Sequence, residues 1–295
     1  MIIVRLNGGL GNQMFQYALG RACAIKNDTE LAFDISGFKN SILKINLKYK
    51  NTAIRKFDLS VYNIDAEIVK VSFFKKIILF KKKILSRFFG IHFRNIEKKM
   101  YSFDQGIFSY GKNAYFDGYW QSYRYFENIR DVIIKDFTLK QNPDQKSTIL
   151  LDEIGRKNSL AIHIRRGDYV GNAYHNVVGQ EYYEKSIQYV KDKNIIDKIY
   201  IFSDDIVWCE ENLKFSEKYN IPISFVDDSY AGRVGEGHMN LMMKCKYFII
   251  ANSSFSWWGA WLSQRENKVI VSPKEWLTDT RVDTSDLIPK EWVRL

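Results

Sequence analysis

One short stretch of the chain, His-Ile-Arg-Arg-Gly-Asp-Tyr at 163–169, concentrates side chains suited to binding a diphosphate. Arg165 and Arg166 offer paired hydrogen-bond donors and a permanent charge, which match phosphate oxygens. Gly167 permits a tight turn, and Asp168 is placed to hold one arginine. The stretch therefore predicts an anion site, and a purely structural Arg–Asp pair is the alternative.

Polar side chains also follow three other apolar runs in the second half of the chain. They are Ser203, Asp204 and Asp205 after 199–202, Asp227 and Asp228 after 223–226, and Asn252 and Ser253 after 248–251. Parallel sheets bind ligands where the carboxyl ends of their strands meet, so we expect these groups at one edge. Taken singly, Ser203 or Asp227 is equally well explained as a helix cap.

The run at 252–261 combines hydroxyl groups with large aromatic residues. Its serines and amide suit a phosphate cradle at a strand-to-helix turn, and its tryptophans suit a buried core. The predicted ligand groups are Asn252, Ser253, Ser254, Phe255 and Ser256.

The sequence argues against a metal-held diphosphate. It contains no Asp-x-Asp triplet, and its four histidines are far apart in the chain. We expect Arg165, Arg166 and helix N-termini to stabilise the leaving charge instead, with no metal required.

A glycine loop follows the first apolar run. Gly9 and Gly11, with Asp34 about twenty residues on, partly match a dinucleotide fingerprint. Met14 stands where that fingerprint needs Gly or Ala, so a nicotinamide-dependent oxidoreductase is only an alternative.

Hydrophobic periodicity predicts two α/β domains. In the second half, strands at 160–164, 199–202, 223–226, 248–251 and 269–271 alternate with helix-length stretches, which is typical of a parallel sheet. In the first half, strands at 2–6 and 31–33 flank a helix whose Met14, Phe15, Ala18, Leu19 and Ala22 share one face. We predict two Rossmann-like domains that face a central cleft.

The best linker candidate is 141–147. It divides the chain into an N-terminal domain at 1–145 and a C-terminal domain at 146–275. We expect the tail at 276–295 to pack back on the N-terminal domain.

Composition narrows the class of protein. With 295 residues, 46% of them hydrophobic, the chain can bury a large core, which excludes a disordered polypeptide. Three scattered cysteines indicate a reducing compartment. The absence of a leader-like or membrane-spanning run predicts a cytoplasmic protein.

The basic charge is concentrated in one segment. Of the net charge of +10, nearly all comes from 70–99, which holds ten basic residues and only one acid, Glu97. A nucleic-acid binder is therefore not indicated. Residues 73–89 place aromatic and lysine side chains on opposite halves of a helical wheel, which suits an anionic membrane surface; an ordinary packed helix is the alternative.

Several blocks together resemble the bacterial α-1,2-fucosyltransferases of glycosyltransferase family 11. They are Gly8–Tyr17, Phe116–Ser122, His163–Tyr169, Ser203–Asp205 with Trp208 and Cys209, and Asn252–Trp261. The resemblance implies a GT-B fold, GDP-β-L-fucose as donor, the 2-hydroxyl of a β-galactoside as acceptor, inversion at the anomeric carbon and no metal.

The resemblance also assigns roles to individual residues. It makes Arg165 and Arg166 the diphosphate and fucose contacts, supported by His163 and Asp168. The strand-end groups Ser203, Asp204, Ser253, Ser254 and Ser256 become donor-pocket residues. The opposing, acceptor-side wall comprises Gly9, Gly11, Asn12 and Gln13.

Two roles stay open. The family tends to place an acidic pair upstream of Leu241, where this chain has Gly237 and His238, so Glu236 or Asp228 is the candidate for reading guanine. The catalytic base is a second open question, for which Asp34 and Asp117 are the candidates.

The leading hypothesis is therefore a fucosyltransferase of surface glycan (O-antigen-type) synthesis. Its acceptor would often be lipid-linked, which fits a peripheral position of 70–99 at the inner membrane face. Besides the oxidoreductase, the remaining alternative is a non-catalytic sugar-binding or membrane-binding protein.

Overall fold

The computed structural model describes residues 1–38, 55–69, 93–167 and 178–295. The chain divides into two compact units. Unit 1 comprises Met1–Lys140 with Asp283–Ile288, and unit 2 comprises Gln141–Val282 with Pro289–Leu295. The main segment of unit 1 ends at Lys140, whereas the boundary predicted from the sequence lies after residue 145. The tail is shared, because 283–288 belong to unit 1 and 289–295 to unit 2.

Unit 1 contains a parallel sheet of five strands. They are β1 (Ile2–Arg5), β2 (Leu31–Asp34), β3 (Glu67–Ile68), β4 (Phe93–Ile96) and β5 (Ala114–Asp117), in the spatial order β3-β2-β1-β5-β4. The two strands predicted here, β1 and β2, are confirmed. The other three were not predicted, because strands of two to four residues carry little periodicity.

Helix α1 (Leu10–Lys26) connects β1 to β2 and is buried on nearly all sides. The five residues predicted to share one face, Met14, Phe15, Ala18, Leu19 and Ala22, are buried, and Gln13, Gln16 and Tyr17 are buried as well. The reason is that α1 contacts β1 and β2 as well as the 3₁₀ turns Leu59–Val61 and Tyr123–Tyr125. The helix also begins inside the predicted loop, so Gly11 and Gln13 are helical residues.

Unit 1 continues with helix α2 (Arg130–Asp136) and with 3₁₀ turns at Gln105–Ser109 and Glu127–Ile129. Asp286 ties the late segment 283–288 to this unit. Its carboxylate accepts a hydrogen bond from the Phe103 N–H at 2.8 Å and pairs with Arg124 at 2.8 Å. These bonds account for the assignment of that segment to unit 1.

Unit 2 contains a parallel sheet of six strands. They are β6 (Ser159–Ile164), β7 (Lys198–Ser203), β8 (Ile223–Val226), β9 (Tyr247–Ile249), β10 (Val269–Ser272) and β11 (Val293–Arg294), in the order β11-β10-β9-β6-β7-β8. The five strands predicted for this half are confirmed, with ends shifted by at most two residues. The terminal strand β11 was not predicted.

Helices connect these strands, as expected for a parallel sheet. They are α3 (Gln145–Arg156), α4 (Gln180–Lys193), α5 (Ile206–Asn212), α6 (Phe215–Tyr219), α7 (Glu236–Lys244) and α8 (Ser254–Leu262). The predicted linker at 141–147 is too long, because α3 begins at Gln145. The carboxylate of Asp144 caps that helix by accepting the N–H of Ser147 at 2.7 Å.

The tryptophans of α8 lie in the core of unit 2, as predicted. Trp257 and Trp258 are fully buried, with ring centroids 5.0 Å apart. Trp257 also stacks on Trp261 at 5.9 Å and packs against Trp292 at 5.5 Å. Gly259 lets α7 approach, because a Cβ there would collide with the Met242 side chain.

The basic segment is only partly described. Residues 70–92 lie outside the described residues, and with them the predicted amphipathic helix at 73–89. Within the part of the chain that the structure describes, no helix is long and apolar enough to cross a bilayer. Cys23, Cys209 and Cys245 are buried free thiols, and burial raises the pKa of Cys23 and Cys245 to about 12.

Candidate functional site

The polar groups predicted for the donor pocket meet at the carboxyl edge of the unit 2 sheet. Strands β9, β6, β7 and β8 are neighbours, and their register places Ile164 beside Ser203 and Phe202 beside Val226. The residues that follow these strands therefore emerge at the same edge. Parallel α/β sheets bind their ligands there.

Both arginines of the 163–169 stretch are paired with aspartates that follow the neighbouring strand. Arg165 Nη1 lies 3.0 Å from Asp204 Oδ2, and Arg166 Nε lies 3.1 Å from Asp205 Oδ2. The predicted holder, Asp168, lies outside the described residues. About a quarter of each arginine side chain remains exposed, so both can still meet a ligand.

Arg166 has two further contacts. Its backbone N–H donates to Asp204 Oδ1 at 2.9 Å, and its guanidinium lies 3.5 Å from the centre of the Trp208 ring. The next residue, Gly167, leaves room for Asp204, because a Cβ there would collide with that carboxylate. The turn after β6 is thus fixed by Asp204, Asp205 and Trp208.

His163 is a buried neutral imidazole at the end of β6. Its ring packs against Phe255 with centroids 5.7 Å apart, and its Nδ1 has no hydrogen-bond partner among the described residues. Burial, assisted by the charge of Arg165 and by His238, lowers its pKa to about 3. His163 can therefore contribute packing and neutral hydrogen bonding at physiological pH, and no positive charge.

The end of β7 combines ligand-facing and capping groups. Ser203 Oγ accepts the N–H of Asp205 at 3.0 Å, and the Asp205 carboxylate accepts the N–H of Trp208 at the start of α5. The N-cap of α5 is therefore Asp205, and Ser203 bonds within the turn that precedes the helix. Asp205 and Trp208 were not among the predicted site residues.

The two candidates for guanine reading differ in their surroundings. Both carboxylate oxygens of Glu236 accept backbone N–H groups, from Arg233 at 3.0 Å and Val234 at 2.8 Å, which closes the turn before α7. The carboxylate of Asp228 is exposed, in the 3₁₀ turn Asp228–Tyr230 that follows β8. Asp228 is therefore the more accessible of the two.

The remaining groups of the β8 end are bonded within unit 2. Asp227 caps its 3₁₀ turn by accepting the N–H of Ser229 at 2.8 Å. Its carbonyl lies 2.8 Å from His238 Nε2, a distance at which the imidazole N–H donates. His238 thus connects the end of β8 to α7.

The serine-rich turn after β9 is mostly buried. Asn252 Nδ2 donates to the Trp276 carbonyl at 3.0 Å, and Ser256 Oγ donates to backbone carbonyls that include Ser253 O at 3.3 Å. Ser253 is also buried, whereas Ser254 and Phe255 are half-exposed. Ser254 therefore presents the accessible hydroxyl of this turn, and Asn252, Ser253 and Ser256 shape it from behind.

In unit 1, the glycine turn between β1 and α1 is closely packed. Gly8 has a φ of +79°, and a Cβ on it would lie 2.6 Å from Asn12 Nδ2. Gly9 precedes α1 and lies beside the Arg55 guanidinium, which would be 3.1 Å from a Cβ there. Asn12 accepts a hydrogen bond from Gln121 Nε2 at 2.8 Å. Gly9 and Asn12 are the half-exposed members of the predicted acceptor-side set.

The other two members of that set are buried. Gly11 lies within α1, and Gln13 is fully buried. The Gln13 amide donates to the carbonyls of Gly8 and Lys56 at 3.0 and 2.8 Å and accepts the N–H of Asp58 at 2.9 Å. Gln13 thus fixes the backbone around the turn and does not present its side chain to a ligand.

The two predicted base candidates end strands on either side of β1. Asp34 is 1% exposed, and its carboxylate accepts the Tyr115 hydroxyl at 2.6 Å and the Ser36 N–H at 2.8 Å. Asp117 pairs with Arg5 at 3.1 Å, and its side chain is 11% exposed. Neither carboxylate is an open surface group, and the burial of Asp34 also removes the ribose contact that a dinucleotide site would need.

A third carboxylate at this edge was not predicted as a site residue. Glu97 follows β4 directly, and its oxygens accept the N–H groups of Tyr119 at 2.7 Å and Trp120 at 3.1 Å. Burial raises its pKa, and the two backbone hydrogen bonds oppose that shift. The only sequence signal was that Glu97 is the single acid within the basic segment.

The whole chain, residues 1–295, matches the family model described as glycosyl transferase family 11. An alpha-1,2-colitosyltransferase of Escherichia coli is 34% identical, over 100% of this chain and 99% of that protein. The O-antigen biosynthesis glycosyltransferase WbnK of Escherichia coli is 32% identical, over 98% of this chain and 99% of that protein. The galactoside 2-alpha-L-fucosyltransferase Sec1 of Mus musculus is 24% identical, over 89% of this chain and 64% of that protein.

Proposed function

Because the chain belongs to glycosyltransferase family 11, we propose that it transfers L-fucose from GDP-β-L-fucose to the 2-hydroxyl of a β-galactoside. The observation that carries this proposal is the pair of arginines at the carboxyl edge of the unit 2 sheet, each held by a separate aspartate. The name of the mouse relative supports fucose and galactoside, and the name of WbnK supports O-antigen synthesis. Under this proposal the chain has a GT-B fold.

The proposed reaction breaks the bond between the anomeric carbon of fucose and the diphosphate oxygen. The electron pair of that bond stays on the diphosphate, and the acceptor oxygen attacks the opposite face of the sugar, which inverts the configuration. Arg165 would stabilise the growing negative charge, because a guanidinium donates to two phosphate oxygens at once. Arg166, Asp204 and Asp205 would hold the turn that carries Arg165.

The nucleoside of the donor would lie against the strand-end groups of unit 2. Of the two candidates for reading guanine, Asp228 has the more exposed carboxylate, and a carboxylate can accept both N–H groups on the edge of guanine. Ser254 is half-exposed and precedes Phe255, whose ring packs against His163, so its hydroxyl would meet the donor. The acceptor would meet Gly9 and Asn12 in unit 1.

The proposed reaction requires no metal ion. The positive charge of the arginines takes the place that a divalent cation has in other diphosphate chemistry. We place the protein in the cytoplasm, with 70–99 at an anionic membrane surface where a lipid-linked acceptor would be met.

GDP-colitose is the alternative donor, because the relative at 34% identity is named for colitose, a sugar that differs from fucose by one hydroxyl. The test incubates the purified full chain with labelled GDP-fucose or GDP-colitose and a panel of β-galactosides. The linkage of each product is then determined by NMR. Transfer of fucose to O2 of galactose is expected, and a product formed only from GDP-colitose would overturn the choice of donor.

A further inference from the structure

Three carboxylates stand at the carboxyl edge of the unit 1 sheet, and the reaction proposed above needs one group that accepts a proton from the acceptor hydroxyl. They are Asp34 at the end of β2, Asp117 at the end of β5 and Glu97 directly after β4. Resting on the proposed fucosyl transfer, we propose that Glu97 is the catalytic base. The argument follows from how each carboxylate is already occupied.

Asp34 is closed to an acceptor. It is 1% exposed, and its two oxygens already accept the Tyr115 hydroxyl and the Ser36 N–H. A sugar hydroxyl cannot reach it without displacing Tyr115, which is itself 3% exposed. Asp34 therefore holds the sheet edge together.

Asp117 is accessible only in part and already neutralised. Arg5 Nη1 lies 3.1 and 3.2 Å from its two oxygens, so the guanidinium stabilises the charged carboxylate. Both oxygens of Asp117 are therefore occupied by Arg5, which leaves them poorly placed to contact an acceptor hydroxyl as well. Asp117 instead anchors Arg5 beside the glycine turn.

Glu97 differs from Asp34 in its exposure and from Asp117 in its charged contacts. Its side chain is half-exposed, and within the described residues it has no ion-pair partner. Its two hydrogen bonds come from neutral backbone N–H groups, which fix the carboxylate and leave each oxygen a further lone pair. Burial raises the pKa of Glu97, and a carboxyl with a raised pKa is a better base at neutral pH.

The turn that Glu97 holds belongs to the proposed acceptor side. Gly118 packs on Glu97, since a Cβ at Gly118 would collide with it, and Trp120 adopts a φ of +57° in the same turn. The next residue, Gln121, reaches across to Asn12. Glu97 is thus placed beside groups that can bind a sugar hydroxyl.

Charged and titratable groups around Glu97 belong to the same edge. Among the described residues, burial raises the pKa of the Tyr119 phenol. The charges of Arg55, Glu97 and Arg5 also act on this phenol. Asp117 lies beside Glu97 along β4 and β5, because the Glu97 N–H donates to the Asp117 carbonyl at 3.1 Å. Any pH response at this edge must be attributed among Glu97, Asp117 and Tyr119.

In the proposed step, the Glu97 carboxylate takes the proton from the galactose 2-hydroxyl as that oxygen bonds to the anomeric carbon of fucose. The bond between that carbon and the diphosphate breaks, and GDP leaves with the electron pair. The carboxylic acid of Glu97 then returns its proton to water, which restores the enzyme.

The test compares Glu97→Gln with the matched variant Glu67→Gln, which changes an exposed glutamate of β3 in the same unit. Initial rates are measured for transfer from GDP-fucose to a galactoside and to azide. Azide is a nucleophile that carries no proton, so it needs no base. Glu97→Gln should lose galactoside transfer by about 10²–10⁴-fold and keep azide transfer near the wild-type rate, whereas Glu67→Gln should keep both.

The pH profile provides the second measurement. A base must be deprotonated to act, so wild-type kcat/KM should fall as the pH drops through the raised pKa of Glu97, and this fall should be absent from the residual activity of Glu97→Gln. Asp117→Asn should retain the fall. Equal losses of azide and galactoside transfer would show a merely structural role, and full galactoside transfer by Glu97→Gln would overturn the proposal. If the wild type transfers fucose to neither nucleophile, the proposed function itself fails.

Discussion

Arg166 lies with its guanidinium carbon 3.5 Å from the centre of the Trp208 ring, while its Nε is bonded to Asp205. Its neighbour Arg165 pairs with a different aspartate, Asp204, at 3.0 Å. A cation held by a ring and a carboxylate is restricted in motion. We therefore expect Arg166 to fix the turn, and Arg165, whose side chain is about a quarter exposed, to contact the diphosphate.

The first prediction follows from this division. Arg165→Ala should lower kcat for fucosyl transfer by about 10²–10³-fold, since it removes a group that stabilises charge in the transition state. Trp208→Leu should instead raise the KM for the donor and change kcat less, because it loosens Arg166 only. Steady-state kinetics on both variants distinguish the roles. Equal kcat losses would contradict the division.

The second prediction concerns Gly167, which follows the two arginines. Gly167→Ala places a Cβ against the Asp204 carboxylate, which would have to move away from Arg165 and from the Arg166 N–H. We expect a loss of about 1–3 kcal/mol in GDP binding, measured by calorimetry. Gly155→Ala is the control, because a Cβ at Gly155 meets nothing within 4 Å.

The third prediction concerns pH and His163. Its pKa of about 3 in the folded chain lies below the ordinary value of 6.5. Between these values the unfolded chain binds the proton and the folded chain does not, so stability is fully present above pH 6.5 and is lost as the pH falls toward 3. The slope contributed by one such group approaches about 1.4 kcal/mol per pH unit.

His163→Asn removes the titrating group and should flatten this part of the pH dependence. Thermal unfolding at pH 5 and pH 7.5 measures the difference for the wild type and the variant. The wild type should lose more stability than the variant between the two pH values. Parallel losses would mean that other groups dominate the acid response.

The fourth prediction concerns the buried amide of Gln16. Its Oε1 accepts the N–H of Asn7 and its Nε2 donates to the Gly118 carbonyl, both at 3.0 Å. Gln16→Leu leaves both backbone groups without a partner, at about 1–3 kcal/mol for each. Denaturant unfolding should show the loss. Gln145→Leu, at the exposed start of α3, should be nearly neutral.

The fifth prediction tests metal independence. Dialysis against EDTA should leave the rate of fucosyl transfer unchanged, and added Mg²⁺ should not raise it, because the proposed charge stabilisation comes from Arg165. A loss on EDTA treatment that Mg²⁺ restores would contradict the proposed chemistry.

Much of unit 2 could be predicted from the sequence, because its strands are buried on both faces and form long apolar runs. Short strands such as β4 and β5 gave no comparable signal. The pairing of β5 with β1 depends on contacts between residues about a hundred positions apart, such as Ile2 with Ala114. The hydrophobic pattern within one segment carries no information about such long-range contacts.

The candidate site divides in the same way. The sequence predicted the arginines and the strand-end polar groups, because residue type and position were enough. It could not predict that Asp205 and Trp208 hold Arg166, nor that Asp34 is enclosed by Tyr115. The sequence could not identify Glu97 as a site residue, because its burial and its hydrogen bonds to Tyr119 and Trp120 form only when β4 pairs with β5.

The tryptophans of α8 give the protein an intrinsic fluorescence signal that can be used to follow unfolding. Six of the seven tryptophans belong to unit 2, and Trp120 is the one that belongs to unit 1. Intrinsic emission during denaturation therefore follows mainly the melting of unit 2, while far-ultraviolet circular dichroism follows both units. Replacing Trp120 with Phe would make the emission signal specific to one unit, so that the order in which the two units melt can be read without any added label.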